Sequence, residues 1–266
     1  MTDAPSETSS RTISLLCPTR GRPDFLPPHI MSIMETAAEP ERLELFYYVD
    51  RDDPLLPQYE SLFAEIRASV FPGLNLVGLV GDAIGTPKAI NAMAGQSSGR
   101  YLMISNDDLL FRTKGWDRAL EDVASRVPDG IFNIFFDDGY LGPKLSCFPI
   151  IGRPWYEALG YVAPVLFDHY NVDLWIHRVG DALARNYYLA DVHLEHRHFE
   201  DDGSGNRFNW QVDGAPRRRL ARDNAYFQMF DRYMQLDIEI LRDAIAGWPN
   251  RYPPFKDHAL AVAYNI

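Results

Sequence analysis

Residues 101–108 read YLMISNDD, an apolar run that ends abruptly in an amide and two carboxylates. The run at 101–105 has the length and apolar continuity of a β-strand that is buried on both faces of a parallel sheet. Asn106, Asp107 and Asp108 then mark the end of this strand. Because open α/β sheets place their ligand sites at the carboxyl ends of strands, the stretch predicts both a fold class and the position of a site.

The rest of the first half repeats this pattern. Three further apolar or aromatic runs are each followed by turn-forming residues, and they lie at 12–17, 43–49 and 74–80. Helical stretches separate them, which is typical of βαβ units wound into a mostly parallel α/β sheet. Thr86 as N-cap and Pro87 at the first helical position predict a helix that continues to about Gln96.

The second half is less regular. Residues 131–136 and 147–151 are candidate strands and 154–159 a short helix, so we expect mixed or antiparallel additions to the same sheet. Residues 200–207 (EDDGSGNR) are charged, contain glycine and have no periodicity, which indicates a mobile loop.

Near the C-terminus, apolar residues recur at spacings of three and four. This period predicts an amphipathic helix with Asp223 near its start and one face docked on the domain. The residues of that face are Phe227, Phe230, Met234, Ile238, Leu241 and Ile245.

Composition limits the class of protein. The chain has 266 residues, of which 46% are hydrophobic, enough to fill the core of one large α/β domain or two small ones and too many for a disordered or fibrous chain. The net charge of −11 argues against general nucleic-acid binding. Any phosphate site must therefore be local.

The sequence also bears on the cellular compartment. Cys17 and Cys147 cannot form a disulfide framework, which favours a reducing compartment and a cytoplasmic location. Residues 1–11 lack the features of a secretory signal and are predicted to form a flexible tail. No apolar run approaches the length of a transmembrane segment.

Two groups of side chains predict a metal site. Asp107 and Asp108 repel one another unless a cation or hydrogen-bond donors neutralise them, and oxygen ligands of this kind suit Mg²⁺ or Mn²⁺. Three histidines, His193, His196 and His198, lie close together in the sequence, and one imidazole beside carboxylates is an acceptable Mn²⁺ shell. The alternatives are a solvated turn at the carboxylates, and a zinc site or a set of surface residues at the histidines.

The turn after the first strand, residues 18–23 (PTRGRP), predicts a diphosphate site. Its residues expose backbone N–H groups, and Arg20 and Arg22 add charge. The alternative is a rigid turn with two solvated arginines.

Other polar residues follow the second and third strands. Asp50 ends the second strand, where a carboxylate can accept from a nucleobase or a ribose hydroxyl. Lys88 and Asn91 lie one helical turn apart and are predicted to face the same cleft, although a lysine in this position is more often simply exposed.

The order and spacing of these pieces resemble those of the GT-A class of nucleotide-sugar glycosyltransferases, in particular the glycosyltransferase family 2-like proteins. The resemblance runs from Ile13 to about His198. The stretches that carry it are PTRGRP at 18–23, Val49-Asp50, GTPKAIN at 85–91, the DXD-like Asn106-Asp107-Asp108, Phe111, Thr113, GWD at 115–117, Phe167-Asp168, DLW at 173–175 and Glu195-His196.

The resemblance implies a GT-A, Rossmann-like fold: a mixed, mostly parallel sheet flanked by helices, with a C-terminal helical extension. Residues 12–199 would form the catalytic domain, with a nucleotide-sugar half at 12–117 and an acceptor half at 118–199. Residues 200–266 would contribute the mobile loop and the helical extension, packed on the same domain.

The resemblance further implies transfer of a sugar from a nucleoside-diphosphate sugar to an acceptor hydroxyl, with inversion and with Mn²⁺ or Mg²⁺. Asp108 and His196 would bind the metal, and Asp173 would be the general base, with Asp168 as the competing candidate. The implied donor-binding residues are Pro18, Thr19, Arg20, Arg22, Asp50 for the nucleobase, Lys88, Asn91, Asn106, and Asp107 for the ribose or donor sugar.

The chain departs from the family pattern at two places. Asn106 replaces the first carboxylate of the DXD motif, and Tyr170-Asn171 stands where a Glu-Asp pair is more usual. Two other functions therefore remain as alternatives. One is a sugar-phosphate nucleotidyltransferase, and the other is a non-catalytic nucleotide-sugar binding protein.

Overall fold

The computed structural model describes residues 12–71, 73–197 and 215–249. Three sequence predictions lie outside these residues: the tail at 1–11, the loop at 200–207 and the placement of His198. Within the described residues no helix is both long and apolar enough to cross a membrane.

The described residues build one eight-stranded sheet with helices on both faces. The strands are β1 (Ile13–Thr19), β2 (Leu43–Asp50), β3 (Asn75–Gly81), β4 (Tyr101–Ile104), β5 (Leu109–Phe111), β6 (Asn133–Asp137), β7 (Ile150–Gly152) and β8 (Asn186–His196). The helices are α1 (Leu26–Thr36), α2 (Leu56–Glu65, continued by a π-helical turn Ile66–Val70), α3 (Thr86–Gln96), α4 (Trp116–Ala124), α5 (Arg153–Leu159), α6 (Val172–Leu183), α7 (Ala215–Met229) and α8 (Asp231–Ile245).

The strand order is β3-β2-β1-β4-β7-β6-β8-β5. Strands β1 to β4 are parallel, β7 is antiparallel to both of its neighbours, and β8 runs parallel to β6 and antiparallel to β5. The prediction of a mostly parallel α/β sheet with mixed additions in the second half is therefore confirmed. The sequence analysis did not predict β5, because three residues are too few to show a period.

Side-chain alternation along the strands divides the core between the two faces of the sheet. In β1, Leu15 packs into the cluster on one face and its neighbour Leu16 into the cluster on the other. Since both faces are covered by helices, the strands are apolar at successive positions, as predicted for strands buried on both sides.

Several predicted boundaries shift. Strand β1 continues through Thr19, and β7 begins at Ile150 instead of residue 147. Thr86 is the first residue of α3 and not its cap, because Gly85 precedes it with φ 82° and makes the turn into the helix. The hydroxyl of Thr86 instead lies 3.0 Å from Nδ1 of His169.

The C-terminal extension forms two helices where the sequence predicted one. Phe230 leaves the helical conformation (φ −103°, ψ 21°), and its ring packs edge-on with Tyr226 and Tyr233. Asp223 consequently lies within α7 and not near the start of the amphipathic helix. The predicted apolar face does dock: its members are buried or partly buried in the core cluster that α8 shares with α5 and α6.

A buried acid also attaches α8 to the domain. Asp237 accepts hydrogen bonds from the Tyr161 hydroxyl and from Nε1 of Trp175, the latter at 2.8 Å. Burial raises the pKa of Asp237 to about 7. The carboxyl group is therefore only partly ionised near neutral pH, which lowers the cost of burying it.

A second buried acid connects β1, β2 and the segment that enters β4. Glu44 accepts from the Ser14 hydroxyl at 2.7 Å and from the backbone N–H groups of Ser98 and Gly99 at 2.8 and 3.1 Å. Burial alone would raise the pKa of Glu44, but these hydrogen bonds hold it below its ordinary value. Gly99 is required for the approach, since a Cβ there would lie 2.3 Å from the Ser14 hydroxyl oxygen.

We expect Glu44→Ala to lower the free energy of unfolding by about 3 kcal/mol, because it leaves several buried donors without an acceptor. Urea unfolding followed by circular dichroism measures this change. The exposed Glu60→Ala on α2 is the matched control and should change stability by less than about 0.5 kcal/mol. Equal effects of the two substitutions would contradict a structural role for Glu44.

Candidate active site

The candidate site lies where the strand order reverses. Strands β2 and β3 continue from one side of β1, and β4 lies on its other side. A crevice at such a switch point, outside the carboxyl ends of the strands, is the usual ligand site of an open α/β sheet. The segments after β1 and β4, which carry the predicted arginines and carboxylates, meet there.

Asp107 is buried at this point, and its carboxylate is enclosed by protein groups. It accepts a hydrogen bond of 2.5 Å from the Thr19 hydroxyl at the end of β1 and forms an ion pair with Arg22. Burial is the main cause that raises the pKa of Asp107, to about 6, against the opposing effect of Arg22. In this structure Asp107 therefore contacts β1 and its turn directly.

Arg22 connects both carboxylates to the turn after β1. Besides Asp107, its guanidinium lies 3.2 Å from Oδ2 of Asp108, and it packs over the ring of Phe25 with 5.2 Å to the centroid. Its backbone N–H donates to the Tyr59 hydroxyl at 2.8 Å. Arg22 is thus a partly buried cation held in place by its backbone, its ring contact and two acids.

His196 and Asp108 face each other across the site. Nε2 of His196 lies 3.4 Å from Oδ1 of Asp108, and the His196 ring packs edge-on against Phe148 with 5.0 Å between centroids. The backbone brings them together, since His196 pairs with Leu109 in the β5–β8 ladder and the Arg197 N–H donates to the Asp108 carbonyl. The sequence prediction placed these two residues in one site, and the structure does bring them together.

The chemistry of this pair fits a divalent cation. A carboxylate oxygen and an imidazole nitrogen are both ligands that Mn²⁺ accepts, and Mg²⁺ commonly takes one or two carboxylates and completes its shell with phosphate oxygens and water. Among the described residues no group of three or more His, Cys, Asp or Glu side chains could hold a metal. The two residues would therefore supply part of a shell that a ligand completes.

The other histidines of the predicted cluster are placed differently. Along β8, Val192 and Leu194 are buried while His193 between them is exposed, in agreement with alternation. Nδ1 of His193 lies 3.3 Å from Oδ2 of Asp137, and Oδ1 of the same carboxylate accepts from the Tyr188 hydroxyl. His198 lies outside the described residues.

The turn after β1 meets the end of β2 through charge. Arg20 donates to Asp50 at 2.8 Å and to Asp52 at 2.5 Å, and the Gly21 N–H donates to Asp53 at 2.6 Å. Burial raises the pKa of Asp50 in spite of the bond from Arg20. The structure thus places Arg20 and Asp50 in direct contact at the strand ends.

The remaining predicted donor residues occupy several places. Pro18 is half-buried in β1, Asn106 is half-buried between β4 and β5, and Lys88 is half-buried on α3. The prediction that Asn91 faces the cleft is wrong, because its side chain binds the backbone of residues 162–163. The amide oxygen accepts from the N–H groups of Val162 and Ala163 at 2.9 and 3.0 Å, and the amide nitrogen donates to the Ala163 carbonyl at 2.7 Å.

The two candidate bases have different surroundings. Asp173 lies in the first turn of α6, and burial raises its pKa to about 6. Asp168 lies in the preceding loop and forms an ion pair with Arg222 of α7. A carboxylate with a raised pKa is the better proton acceptor, so the surroundings favour Asp173.

Asp173 acts electrostatically on Cys147, and the His196 ring packs against the next residue, Phe148. Burial is the main cause that raises the pKa of the Cys147 thiol, and the carboxyls of Asp138 and Asp173 raise it further.

Beside His196, a cavity of about 290 Å³ opens between the end of β8 and the turn after β6. It is lined by Asp138, Gly139, Tyr140, His193, Glu195 and His196. Asp138 accepts three backbone N–H bonds from Tyr140, Leu141 and Gly142, which fix the turn.

Two residues that shape the site were not found from the sequence. Asp138 is one, and His29 on α1 is the other. Burial lowers the pKa of His29 to about 4, so the ring is neutral, with Nδ1 donating to the Leu109 carbonyl at 2.5 Å and Nε2 lying 3.4 Å from the Ser105 hydroxyl. A lone histidine among apolar residues gives no sequence signal for such a contact, which depends on residues about 80 positions away.

We expect Arg22→Ala to lower the free energy of unfolding by about 3–5 kcal/mol, because it leaves two neighbouring buried carboxylates without their cation. Arg20→Ala is the matched control. Since the Arg20 ion pairs are exposed, that change should cost at most about 1 kcal/mol. Both are measured by urea unfolding at pH 7, and similar losses would show that Arg22 does not neutralise the site.

Comparison with known proteins supports the fold. No protein-family model and no curated protein matches the chain by sequence. Among solved structures, a mannosyltransferase from Pyrobaculum calidifontis, PcManGT, in complex with GDP-Man and Mn²⁺, matches with a TM-score of 0.61 at 16% identity over 98% of this chain and 77% of that one. The S. aureus protein TarS, residues 1–349, in complex with UDP matches with a TM-score of 0.50 at 13% identity over 68% of this chain.

The chain matches 60% of the length of the TarS structure. A complex of TarS with UDP-GlcNAc gives the same TM-score. These similarities lie in the fold, and the prediction that the chain shares the fold of nucleotide-sugar glycosyltransferases is confirmed.

Proposed function

We propose that this protein is a metal-assisted glycosyltransferase that moves a sugar from a nucleoside-diphosphate sugar to an acceptor hydroxyl. The observation that carries the proposal is the contact between Asp108 and His196 at the switch point of the sheet, 3.4 Å apart. Beside it, Arg22 supplies positive charge to a crevice of an otherwise acidic chain. The fold shared with structures that hold UDP or GDP-Man supports the same function.

In this proposal the donor lies across the ends of β1 and β2. Asp50 contacts the nucleobase, while Arg20, Arg22 and Lys88 contribute charge near the diphosphate. Asn106 has one charge fewer than the aspartate of the family pattern, and its amide offers a donor as well as an acceptor to the ribose or sugar.

Asp108 and His196 hold a divalent cation, Mn²⁺ or Mg²⁺. When bound, the cation neutralises charge on the departing nucleoside diphosphate. The cavity of about 290 Å³ beside His196 receives the sugar that is transferred.

Asp173 serves as the general base. As the acceptor oxygen bonds to the anomeric carbon, the bond from that carbon to the phosphate oxygen breaks and the nucleoside diphosphate leaves with the electron pair. The hydroxyl proton passes to the Asp173 carboxylate. A pKa of about 6 leaves this carboxylate ionised at neutral pH yet more basic than an ordinary aspartate. A single displacement of this kind inverts the anomeric configuration.

The two cysteines are free thiols, Cys17 buried and Cys147 partly buried. Free thiols are typical of proteins in reducing compartments, which supports a cytoplasmic location within this proposal.

Donor binding tests the proposed site directly. We expect one of UDP, GDP, CDP and dTDP, or one of their sugars, to raise the melting temperature in the presence of Mn²⁺, because a ligand that binds only the folded state stabilises it by RT ln(1 + [L]/Kd). At about 100 times Kd the gain is about 2.7 kcal/mol. Asp108→Asn should abolish the Mn²⁺-dependent part, as measured by differential scanning fluorimetry.

The exposed Asp122→Asn on α4 is the matched control, and its shift should equal that of the wild type. No shift for any nucleotide, with or without metal, would refute the glycosyltransferase proposal. Binding that persists without any turnover of the sugar nucleotide would instead indicate a non-catalytic binding protein.

The base assignment predicts a pH profile. The kcat for hydrolysis of the sugar nucleotide, in which water replaces the acceptor, should rise with pH through about 6 and then level off, because Asp173 must be ionised to accept a proton. Asp173→Asn should lower kcat by about 10²–10⁴. Release of nucleoside diphosphate between pH 4.5 and 8 measures both.

Asp168→Asn is the matched comparison. Its kcat should still rise with pH through about 6, the part of the profile called the limb below. If Asp168→Asn removed that limb and Asp173→Asn retained it, the base would be Asp168.

A further inference from the structure

Three consecutive residues of α7, Arg222, Asp223 and Asn224, contact the four residues 168–171 that lead into α6. The contacting segments are 53 to 55 positions apart in the chain. Residues 168–171 carry one candidate base, and α6 carries the other in its first turn. The C-terminal extension therefore touches the segment on which the proposed proton transfer depends.

Asp223 makes the central contact. Its side chain has no exposed surface, although it lies on a helix whose neighbouring residues are exposed. Its carboxylate accepts from the backbone N–H groups of Asp168 at 3.2 Å, His169 at 3.1 Å and Tyr170 at 2.9 Å. Hydrogen bonds to a charged acceptor are stronger than neutral ones, and three successive N–H groups on one carboxylate fix the path of the backbone.

The flanking residues hold the two ends of the segment. Arg222 forms an ion pair with Asp168, and the Asn171 amide nitrogen donates to the side-chain oxygen of Asn224 at 2.9 Å. Asn171 has φ 67°, a left-handed conformation that asparagine adopts more readily than most residues other than glycine. Asn171 directly precedes α6, and Asp173 is the second residue of that helix.

The opposite side of the segment packs on the start of α3. Gly85 lies against the segment, since a Cβ at this residue would be in ordinary van der Waals contact, 3.5 Å, with the Asp168 carbonyl oxygen, and Thr86 contacts His169. The segment is thus held between α3 and α7, and α7 contributes the buried carboxylate of Asp223 to it.

We propose that Asp223 is a positioning residue for the reaction: through the backbone of residues 168–171 it fixes the start of α6 and the orientation of Asp173. This inference rests on the proposed function and assigns a role to the C-terminal extension, which lies beyond the part of the chain that resembles the family. Asp223 acts through Asp173 and does not touch the reacting atoms.

The test compares Asp223→Asn with the wild type in hydrolysis of GDP-mannose and UDP-N-acetylglucosamine with Mn²⁺. An amide at this position keeps the size of the side chain but replaces one acceptor oxygen by a donor, which faces N–H groups. We expect kcat to fall about 100-fold, the cost of a small misplacement of a reacting group. The KM for the donor should change by less than about twofold, because the donor residues lie on other elements.

The pH profile gives a readout that loss of stability alone would not move. Loosening the segment admits water to Asp173, so the limb near pH 6 should shift toward the ordinary aspartate value of about 4. The pKa of the Cys147 thiol, on which Asp173 acts electrostatically, is raised above its ordinary value, so this thiol is neutral over the range measured.

Ile238→Ala is the control for destabilisation, since it removes a buried side chain of α8 from the same extension without touching residues 168–171. At a temperature where the Ile238→Ala variant is folded, its kcat and the limb of its pH profile should equal those of the wild type. Asn224→Ala, a substitution of an exposed residue, replaces Asp223→Asn as the test variant if Asp223→Asn does not fold. It should lower kcat several-fold and leave the donor KM unchanged.

The outcomes separate the two proposals. The positioning role is overturned if the wild type turns over a sugar nucleotide and Asp223→Asn has the same kcat and limb. It is also overturned if Ile238→Ala loses as much kcat as Asp223→Asn. Both results leave the glycosyltransferase proposal intact. If Asp223→Asn does not fold, an unchanged kcat in Asn224→Ala overturns the role. A wild type that neither binds nor turns over any sugar nucleotide overturns both proposals.

Discussion

The structure depends on neutralising two adjacent carboxylates that the end of β4 carries into the interior. Arg22 pairs with both Asp107 and Asp108, and the Thr19 hydroxyl donates to Asp107. Because an isolated buried charge is very costly, the turn after β1 must fold against the turn after β4. This requirement joins the two strands at which the order of the sheet reverses, and it leaves an oxygen of Asp108 directed at His196.

Much of the fold follows from local features of the sequence. Continuous apolar runs mark β1 to β4, and the irregular second half correctly indicates mixed pairing. The position of the candidate site was also predictable, because the carboxyl ends of parallel strands meet at one edge of the sheet. The pairing of Asp108 with His196 was expected from this position together with the family resemblance. The hydrogen-bond partner of a polar side chain, by contrast, cannot be predicted from the local sequence. Asn91 has the spacing to face a cleft, yet its amide binds the backbone of residues 162–163.

Other features are invisible in the sequence for the same physical reason. Asp223 looks like a helix cap, since an acid near the start of an amphipathic stretch is typical of one, but its donors are N–H groups over 50 residues away. Such contacts are decided by the assembled tertiary structure, and no period or propensity encodes them.

Strand β8 belongs to both parts of the sheet. Its first residues pair with β6 up to Leu189, and after an irregularity of three residues His193 pairs with Asp137 while Leu194, Glu195 and His196 pair with β5. A hinge between the two halves would have to break one of these ladders. Both ladders of β8 therefore oppose a rigid-body opening of the sheet at this strand.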